Sequence, residues 1–179
     1  MKTVFVDVDG VVADMLPEWL RWYNSDYGAS ASVYDIHGWA LHEYIRKSCG
    51  MKIYDYLNDP RLYDKVEPIE KAKWGVDSIR DLGYKVVFAT ATPRSTPYRK
   101  YDWLDEHGFK PTLKTYLEIQ DKSLLHGEFL LDDNITNVLG FSGKGYLFNQ
   151  YHNEAYLLPI NRATDWEDFV NILKGEKFE

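Results

Sequence analysis

The 179-residue chain is long enough for one domain, or for one domain with a modest insertion, and its 45% hydrophobic content is ordinary for a globular protein. Its formal net charge of −7 argues against a nucleic-acid polymer as partner, because affinity for such polymers depends largely on clustered Lys and Arg. Cys49 is the single cysteine, so no intrachain disulfide forms and we expect a reducing, cytoplasmic location. No apolar run approaches the ~18 residues of a membrane span and no signal peptide is evident, so no membrane partner is expected.

Short apolar runs along the chain predict buried β-strands. They lie at residues 3–7, 84–90, 128–132 and 146–149, with a weaker candidate near residues 113–118. Helical patterns lie between these runs. The alternation of strands and helices predicts an α/β fold, namely a doubly wound, Rossmann-like parallel sheet.

Three segments carry the helical signals. Over residues 69–82, apolar side chains recur at spacings of three and four, and Gly83 supplies a stop. A second helix is predicted to start within residues 95–97 and to close at Gly108. Near the C-terminus, Thr164 and Glu167 have the spacing of a capping box ahead of an apolar stretch.

One connection is far longer than a parallel sheet requires. About 75 residues separate the first two strong strand candidates, whereas a crossover helix needs only a dozen or so. Residues 15–65 of this connection are helical in pattern and rich in Trp and Tyr. We therefore predict a core of residues 1–14 and 66–179, and a small inserted helical cap of residues 15–65 above the C-terminal edge of the sheet.

Polar residues follow the predicted strands at their carboxyl ends, where open parallel sheets bind ligands. They are Asp7 and Asp9 at or just after the end of residues 3–7, Thr90 at the end of residues 84–90, and Asp132 and Asp133 at or just after the end of residues 128–132. Lys122 lies shortly before residues 128–132 and is expected at the same edge. Burying carboxylates without a compensating charge is costly, and clustered carboxylates suit a hard cation such as Mg²⁺. The cation would offset their repulsion and let an anionic phosphate approach.

Such a site could perform phosphate chemistry. A carboxylate can attack phosphorus to form an aspartyl-phosphate, and a second acid can protonate the leaving oxygen and later activate water. Thr90 and Lys122, together with backbone amides, could hold the remaining phosphate oxygens. Because "TAT" repeats the hydroxyl two residues further on, Thr92 stays an alternative to Thr90.

Four short motifs, "DVDGVVAD", "ATATP", "QDKS" and "LLDDN", resemble in order the four motifs of the haloacid dehalogenase superfamily of phosphatases. The resemblance implies that Asp7 is the nucleophile and Asp9 the general acid and base. It also implies that Thr90, its neighbour Ala91 and Lys122 bind the phosphate.

The same resemblance implies a magnesium site. Mg²⁺ would be bound by Asp7, by the backbone carbonyl of Asp9 and by one member of the Asp132–Asp133 pair. Asp133 is favoured as the direct ligand, with Asp132 as the alternative.

A narrower likeness involves "VDVDGVVADM", "VEP", "LFNQYHN" and "DWEDFVNIL", which are similar to the 5'(3')-deoxyribonucleotidases. This resemblance implies that Met15 and Trp39 line a nucleoside pocket. Two positions depart from the family pattern: Gln120 stands where animal members have an arginine, and Leu57 where they have a second cap tryptophan. Both departures are expected to affect the base preference and the binding of the phosphate.

The expected function is Mg²⁺-dependent hydrolysis of the phosphomonoester bond of a small substrate, a deoxyribonucleoside monophosphate. Two alternatives stay open: a phosphatase acting on sugar phosphates or other small phosphomonoesters, and a non-catalytic nucleotide-binding module. His152 and Asn153, which follow the last predicted strand, are expected to be structural. The aromatic content of the chain is also compatible with a homodimer.

Overall fold

The computed structural model of the protein describes residues 1–156 and 158–177. Its strands are β1 (Thr3–Val6), β2 (Lys85–Thr90), β3 (Tyr116–Glu118), β4 (Phe129–Asp132), β5 (Lys144–Phe148) and β6 (Arg162–Ala163). They form one sheet in the order β3-β2-β1-β4-β5-β6, and every neighbouring pair is parallel. The predicted α/β fold with a doubly wound parallel sheet is therefore confirmed.

The central strands are buried on both faces, which explains their continuous apolar sequences. In β1, Val4 and Val6 enter the larger apolar cluster on one side of the sheet. Phe5, between them, enters a smaller cluster on the opposite side. This alternation is the two-residue period of a β-strand, with both faces covered by other elements.

Two strands differ from the sequence-based prediction. β3 begins only at Tyr116, and Leu113 lies outside it with 83% of its surface exposed. β6 was not predicted, so β5 is not the last strand of the sheet. With two residues, β6 is too short to show an alternating pattern, and it is defined by its pairing with Leu147 and Phe148 of β5.

The helices are α1 (Met15–Tyr27), α2 (Ala72–Asp81), α3 (Arg99–Glu106), α4 (Ile135–Gly140) and α5 (Trp166–Lys177). Gly83 and Gly108 follow α2 and α3 with φ values of +87° and +75°, the left-handed conformation that favours glycine after a helix. α4 was not predicted, because six residues are too few to establish a helical period. None of the described helices combines the length and apolarity needed to cross a bilayer.

The predicted capping box of α5 is wrong by one residue. The helix begins at Trp166, whose buried ring donates a hydrogen bond from Nε1 to the Val11 carbonyl over 2.9 Å. Asp165 is therefore the residue that caps the helix, and its Oδ1 accepts the backbone N–H of Asp168 over 2.8 Å. Glu167 instead forms an ion pair with Lys71.

The long connection between β1 and α2 contains α1 and four 3-10 helices at Val33–Asp35, Leu41–Glu43, Gly50–Asn58 and Pro60–Lys65. Its helical pattern is thus realised by one α-helix and several short, tighter turns. Six residues of this segment form an apolar cluster of their own: Leu20, Tyr23, Ile36, Leu41, Cys49 and Ile53. Near its two ends, Met15, Leu62 and Tyr63 pack into the larger cluster beside the sheet.

Candidate active site

The carboxyl ends of β1, β2 and β4 open into a cavity of about 420 Å³. All but one of the residues predicted to form the site line its wall: Asp7, Asp9, Met15, Trp39, Thr90, Ala91, Lys122 and Asp133. Asp132 does not line the cavity and is completely buried. Strand ends and the segment after β1 thus bring together residues that are up to 126 positions apart in the sequence (Asp7 to Asp133).

Asp7 follows β1 and is held so that one carboxylate oxygen stays open. Its backbone N–H donates to the Leu131 carbonyl of β4 over 2.9 Å, which fixes the residue at the sheet edge. Oδ1 accepts hydrogen bonds from the Val8 backbone N–H and from Lys122 Nζ, each over 2.8 Å. No group among the described residues donates to Oδ2, so this oxygen is available to a ligand or to an electrophile.

Lys122 joins Asp7 to Asp132. Its side chain is buried, and Nζ lies 2.6 Å from Asp132 Oδ2 in addition to the Asp7 contact. Burial would lower the pKa of Lys122, but the charges of Asp7 and Asp132 outweigh it and raise that pKa. An ammonium has three donor hydrogens, so one remains for a ligand in the cavity that Lys122 lines.

Asp132 has both carboxylate oxygens occupied by protein donors. Oδ1 accepts from the Asn134 backbone N–H at 2.8 Å and from Asn137 Nδ2 at 3.2 Å. Oδ2 accepts from Lys122 and also from Asn137 Nδ2. Burial, followed by the charge of Asp7, raises the pKa of Asp132 to about 7.

Asp133 differs from its neighbour because one of its oxygens has no partner. Oδ1 is buried and receives no hydrogen bond, while Oδ2 lies 3.3 Å from His152 Nε2. Burial raises the pKa of Asp133, and the contact with His152 only partly opposes this. A Cβ at Gly10 would lie 2.0 Å from Asp133 Oδ2, so this close approach requires the glycine, whose φ is +72°.

The three acids fit a metal ion. Asp7, Asp132 and Asp133 each present an oxygen, and these oxygens lie within 4.8 Å of one another. Carboxylate oxygens are the preferred ligands of hard divalent cations. A cation here would satisfy Asp133 Oδ1 and offset the repulsion among the buried charges.

Asp9 is held from two sides. Its Oδ2 lies 2.7 Å from Lys100 Nζ, and its Oδ1 accepts a hydrogen bond from the Tyr63 hydroxyl. Its side chain keeps 30% exposure and faces the cavity. Lys100 and Tyr63 were not identified from the sequence, because neither belongs to a recognisable motif and only the folded chain brings them to Asp9.

The end of β2 supplies a hydroxyl and a backbone amide. Thr90 lines the cavity and its Oγ1 accepts a hydrogen bond from Lys100 Nζ over 3.0 Å. The adjacent N–H of Ala91 forms no hydrogen bond with the described residues, so it is free for a ligand. Thr92 is buried and does not line the cavity, and the geometry therefore favours Thr90 over Thr92.

The other end of the cavity is apolar and aromatic. It is lined by Met15, Leu16, Trp19, Ile36, Trp39, Leu41, Tyr54 and Leu57. Trp39 is 54% exposed and meets His152 edge to face, with ring centroids 5.2 Å apart. Gln120 also lines the cavity and donates from Nε2 to the Thr92 carbonyl over 3.1 Å.

The segment after β5 also reaches the site. Asn153 is fully buried and donates from Nδ2 to the carbonyls of Asp133 and Phe148, each over 2.9 Å, a structural contact of the kind expected from the sequence. Gln150 and His152 line the cavity, which the sequence did not indicate. Their signals in the sequence were their position after a predicted strand and their place in the stretch "LFNQYHN".

Comparison with known proteins assigns the chain to a family. A family model described as "5' nucleotidase, deoxy (Pyrimidine), cytosolic type C protein" matches residues 1–178. A 5'(3')-deoxyribonucleotidase from Clostridium acetobutylicum is 27% identical over 164 residues, which cover 92% of this chain and 90% of the relative. The human 5'(3')-deoxyribonucleotidase of cytosolic type is 26% identical over 191 residues, covering 96% and 94% of the two chains.

Solved structures agree on the fold. A haloacid dehalogenase-like family hydrolase from Streptococcus pneumoniae superposes with a TM-score of 0.65 at 12% identity, covering 97% of this chain and 98% of that one. A putative beta-phosphoglucomutase from Thermotoga maritima gives a TM-score of 0.62 at 15% identity, covering 98% and 99%. At these identities the likeness shows the fold alone. Because the family match spans nearly the whole chain, the protein belongs to this deoxyribonucleotidase family of phosphoric monoester hydrolases and has the haloacid dehalogenase-like fold.

Proposed function

We propose that the protein hydrolyses deoxyribonucleoside monophosphates in a Mg²⁺-dependent reaction that passes through an aspartyl-phosphate on Asp7. One observation carries the proposal. The open oxygen of Asp7, the carboxylate of Asp9 and the spare donor of Lys122 meet at the polar end of a cavity whose other end is aromatic. A phosphate fits the first end, and a nucleobase fits the second.

The metal would be held by Asp7, by the Asp9 carbonyl and by Asp133. Asp133 is preferred to Asp132 because its Oδ1 lacks a partner, whereas both oxygens of Asp132 already accept hydrogen bonds. When bound, the cation supplies positive charge that brings the phosphate close to the carboxylates and draws electron density from phosphorus. The donor set of oxygens suits Mg²⁺.

In the first step, Asp7 Oδ2 attacks phosphorus and the bond from phosphorus to the ester oxygen of the sugar breaks. Asp9 donates its proton to that oxygen, so the nucleoside leaves as an alcohol. Lys122 and Thr90, with the Ala91 amide, bind the other phosphate oxygens as negative charge builds on them.

In the second step, water attacks phosphorus and the bond to Asp7 breaks. Asp9, now ionised, accepts a proton from the water and is returned to its starting state. Inorganic phosphate leaves, and the carboxylate of Asp7 is regenerated.

The aromatic end of the cavity would select the substrate. Met15 and Trp39 are placed to contact a base, and stacking on an aromatic ring contributes about 1–3 kcal/mol per base. Residues 15–65 supply most of this end, and we propose that they act as a cap that excludes bulk water during the reaction. We propose a cytoplasmic location, in keeping with the human relative of cytosolic type.

Phosphate release from a panel of substrates tests the proposal. The panel contains dUMP, dTMP, dGMP, dAMP, their ribonucleotide counterparts and several sugar phosphates, each with Mg²⁺ and with EDTA. Asp7→Asn removes the nucleophile at nearly constant shape, and Asp81→Asn is the control, because Asp81 is an exposed acid at the end of α2, outside the cavity.

We expect metal-dependent release from deoxynucleotides, abolished in Asp7→Asn and kept in Asp81→Asn. Release from sugar phosphates alone would instead favour the broader phosphatase. Nucleotide binding without release by the folded wild-type protein would favour a binding module.

A further inference from the structure

Lys100 is an unusual residue to find buried at this site. It is the second residue of α3 and is only 4% exposed, although lysine is almost never buried without partners. It does not line the cavity. No step of the proposed reaction uses Lys100.

The contacts of Lys100 account for all of its donor capacity. Its Nζ lies 2.7 Å from Asp9 Oδ2 and 3.0 Å from Thr90 Oγ1, and it also donates to the Ala91 carbonyl. An ammonium has three donor hydrogens, so these three acceptors leave none for a substrate. Lys122, by contrast, has two carboxylate partners and one spare donor that faces the cavity.

We propose that Lys100 is a positioning residue that fixes the carboxylate of Asp9 and orients the hydroxyl of Thr90 for phosphate binding. The two lysines then divide the work. Lys122 contacts the substrate, and Lys100 holds the groups that do.

The effect on Thr90 follows from the geometry of a hydroxyl. Because Thr90 Oγ1 accepts a hydrogen bond from Lys100, its own hydrogen must point elsewhere. The cavity lies on the open side, so this hydrogen is available to a phosphate oxygen. Without Lys100, the hydroxyl would rotate freely and could equally accept or donate.

The effect on Asp9 comes from contacts to both of its carboxylate oxygens. Lys100 contacts Oδ2 and the Tyr63 hydroxyl contacts Oδ1, so the carboxylate plane is fixed between α3 and the segment that precedes α2. Proton transfer needs the donor within hydrogen-bond reach of the leaving oxygen, and a misplacement of about 1 Å can cost about 100-fold in rate. Positioning of this group therefore has a direct kinetic consequence.

The inference rests on the proposed function, and wild-type phosphate release is accordingly measured first. A folded wild-type protein that releases no phosphate from any deoxynucleotide would contradict the proposed function itself. The variants below test Lys100 only in a protein already shown to be active.

The test is a double-mutant cycle on kcat and KM with the preferred deoxynucleotide. Lys100→Met removes the ammonium at similar length, and Asp9→Asn removes the group that it holds. Lys73→Met is the matched control, because Lys73 is also a helical lysine paired with an aspartate, Asp77, but lies outside the site. Folding of each variant is checked by circular dichroism and thermal melting.

For Lys100→Met we expect kcat to fall about 100-fold with KM changed less than about fivefold, because the held groups act mainly in the transition state. In the Asp9→Asn background the same substitution should lower kcat by less than about tenfold, since its main target is already gone. Lys73→Met should keep the wild-type kcat.

Two results would overturn the inference: a wild-type kcat in folded Lys100→Met, or an equal loss of kcat in both backgrounds. If Lys100→Met does not fold, Lys100→Gln replaces it in the same cycle, because its shorter side chain cannot reach all three acceptors. The loss must again shrink at least about tenfold in the Asp9→Asn background. A loss that does not shrink would show a purely structural lysine.

Discussion

Asp132 and Asp133 are neighbours in the chain with opposite surroundings. Asp132 ends β4 and points to Lys122, so protein donors occupy both of its oxygens. Asp133 lies one residue beyond the strand and points to the cavity, with one oxygen unpartnered. Because successive side chains of an extended segment point in opposite directions, one acid contacts the lysine and the other faces the cavity, where the proposed metal would bind.

This difference predicts that the two asparagine variants fail in different ways. Asp132→Asn should lower the free energy of unfolding by about 2 kcal/mol, because an amide NH₂ then replaces one of two oxygens that accept hydrogen bonds from Lys122 and Asn134, and a buried donor loses its acceptor. Asp133→Asn should change it by less than about 1 kcal/mol in EDTA, since it removes a buried charge that lacks a full set of partners. Urea unfolding in EDTA measures both changes.

Metal titration of the activity completes the comparison. Asp133→Asn should raise the Mg²⁺ concentration needed for half-maximal activity by about 100-fold or more, because the loss of a residue that only supports a ligand typically costs about 10–100-fold. Asp132→Asn should change it less. The reverse order would identify Asp132 as the direct ligand.

Among the secondary-structure elements, the sequence predicted those that are long enough to show a clear hydrophobic pattern. The central strands are continuous apolar runs because both faces of the sheet are covered, and α2 shows a clear helical period. β6 and α4 escaped prediction because two and six residues are too short for a period. The acids could be assigned to one edge because they follow strands, and Lys122 was assigned there from its place before β4 and its motif, whereas Lys100 and Tyr63 reach the site only through tertiary packing.

The N-terminus of α5 illustrates the limit of a spacing pattern. Thr164 and Glu167 have the right separation for a capping box, but the burial of Trp166 sets the start of the helix one residue later than that box requires. The capping oxygen therefore belongs to Asp165. Local sequence offered two registers, and tertiary packing selected one of them.

Alanine substitutions distinguish the two registers. Asp165→Ala should lower the free energy of unfolding by about 1 kcal/mol, because the Asp168 N–H loses its acceptor at the helix start. Glu167→Ala should cost less than about 0.5 kcal/mol, since its pair with Lys71 is exposed to solvent on both sides. Thermal or urea unfolding measures both changes. A larger decrease in the free energy of unfolding for Glu167→Ala than for Asp165→Ala would support the capping box predicted from the sequence.

Residues 15–65 contribute the aromatic end of the cavity, and Trp39 tests their role in binding. Trp39→Ala should raise KM for deoxynucleotides about 10–100-fold, because the base loses a stacking surface, and should leave KM for deoxyribose 5-phosphate nearly unchanged. Trp74→Ala is the matched control, since Trp74 is 46% exposed and lies outside the cavity. An equal rise in KM for both substrates would mean that Trp39 supports the fold of the segment and does not contact a base.

For the whole molecule, the site concentrates negative charge at the centre of the sheet. Burial raises the pKa of Asp133 and raises that of Asp132 to about 7, whereas both groups titrate near 3.9 in an unfolded chain. Without metal, these two groups therefore destabilise the folded protein above their folded pKa values. As the pH falls through those values, the folded state binds protons that the unfolded state does not, and this destabilisation is relieved.

In the proposed site, Mg²⁺ and protons would compete for the same carboxylates, so the stabilisation by the metal should depend on pH. Excess Mg²⁺ should raise the melting temperature over that in EDTA by more at about pH 8 than at about pH 5.5, because burial raises the pKa values of Asp132 and Asp133 and these acids are more fully ionised at the higher pH. Differential scanning fluorimetry of the wild-type protein and Asp133→Asn measures this difference. The variant should lose most of the gain near pH 8, since it lacks the acid with the unpartnered oxygen. An equal rise in melting temperature at both pH values would mean that Asp132 and Asp133 stay ionised in the metal-free protein. In that case the effect of Lys122 and the neighbouring donors on their pKa values would be larger than the effect of burial.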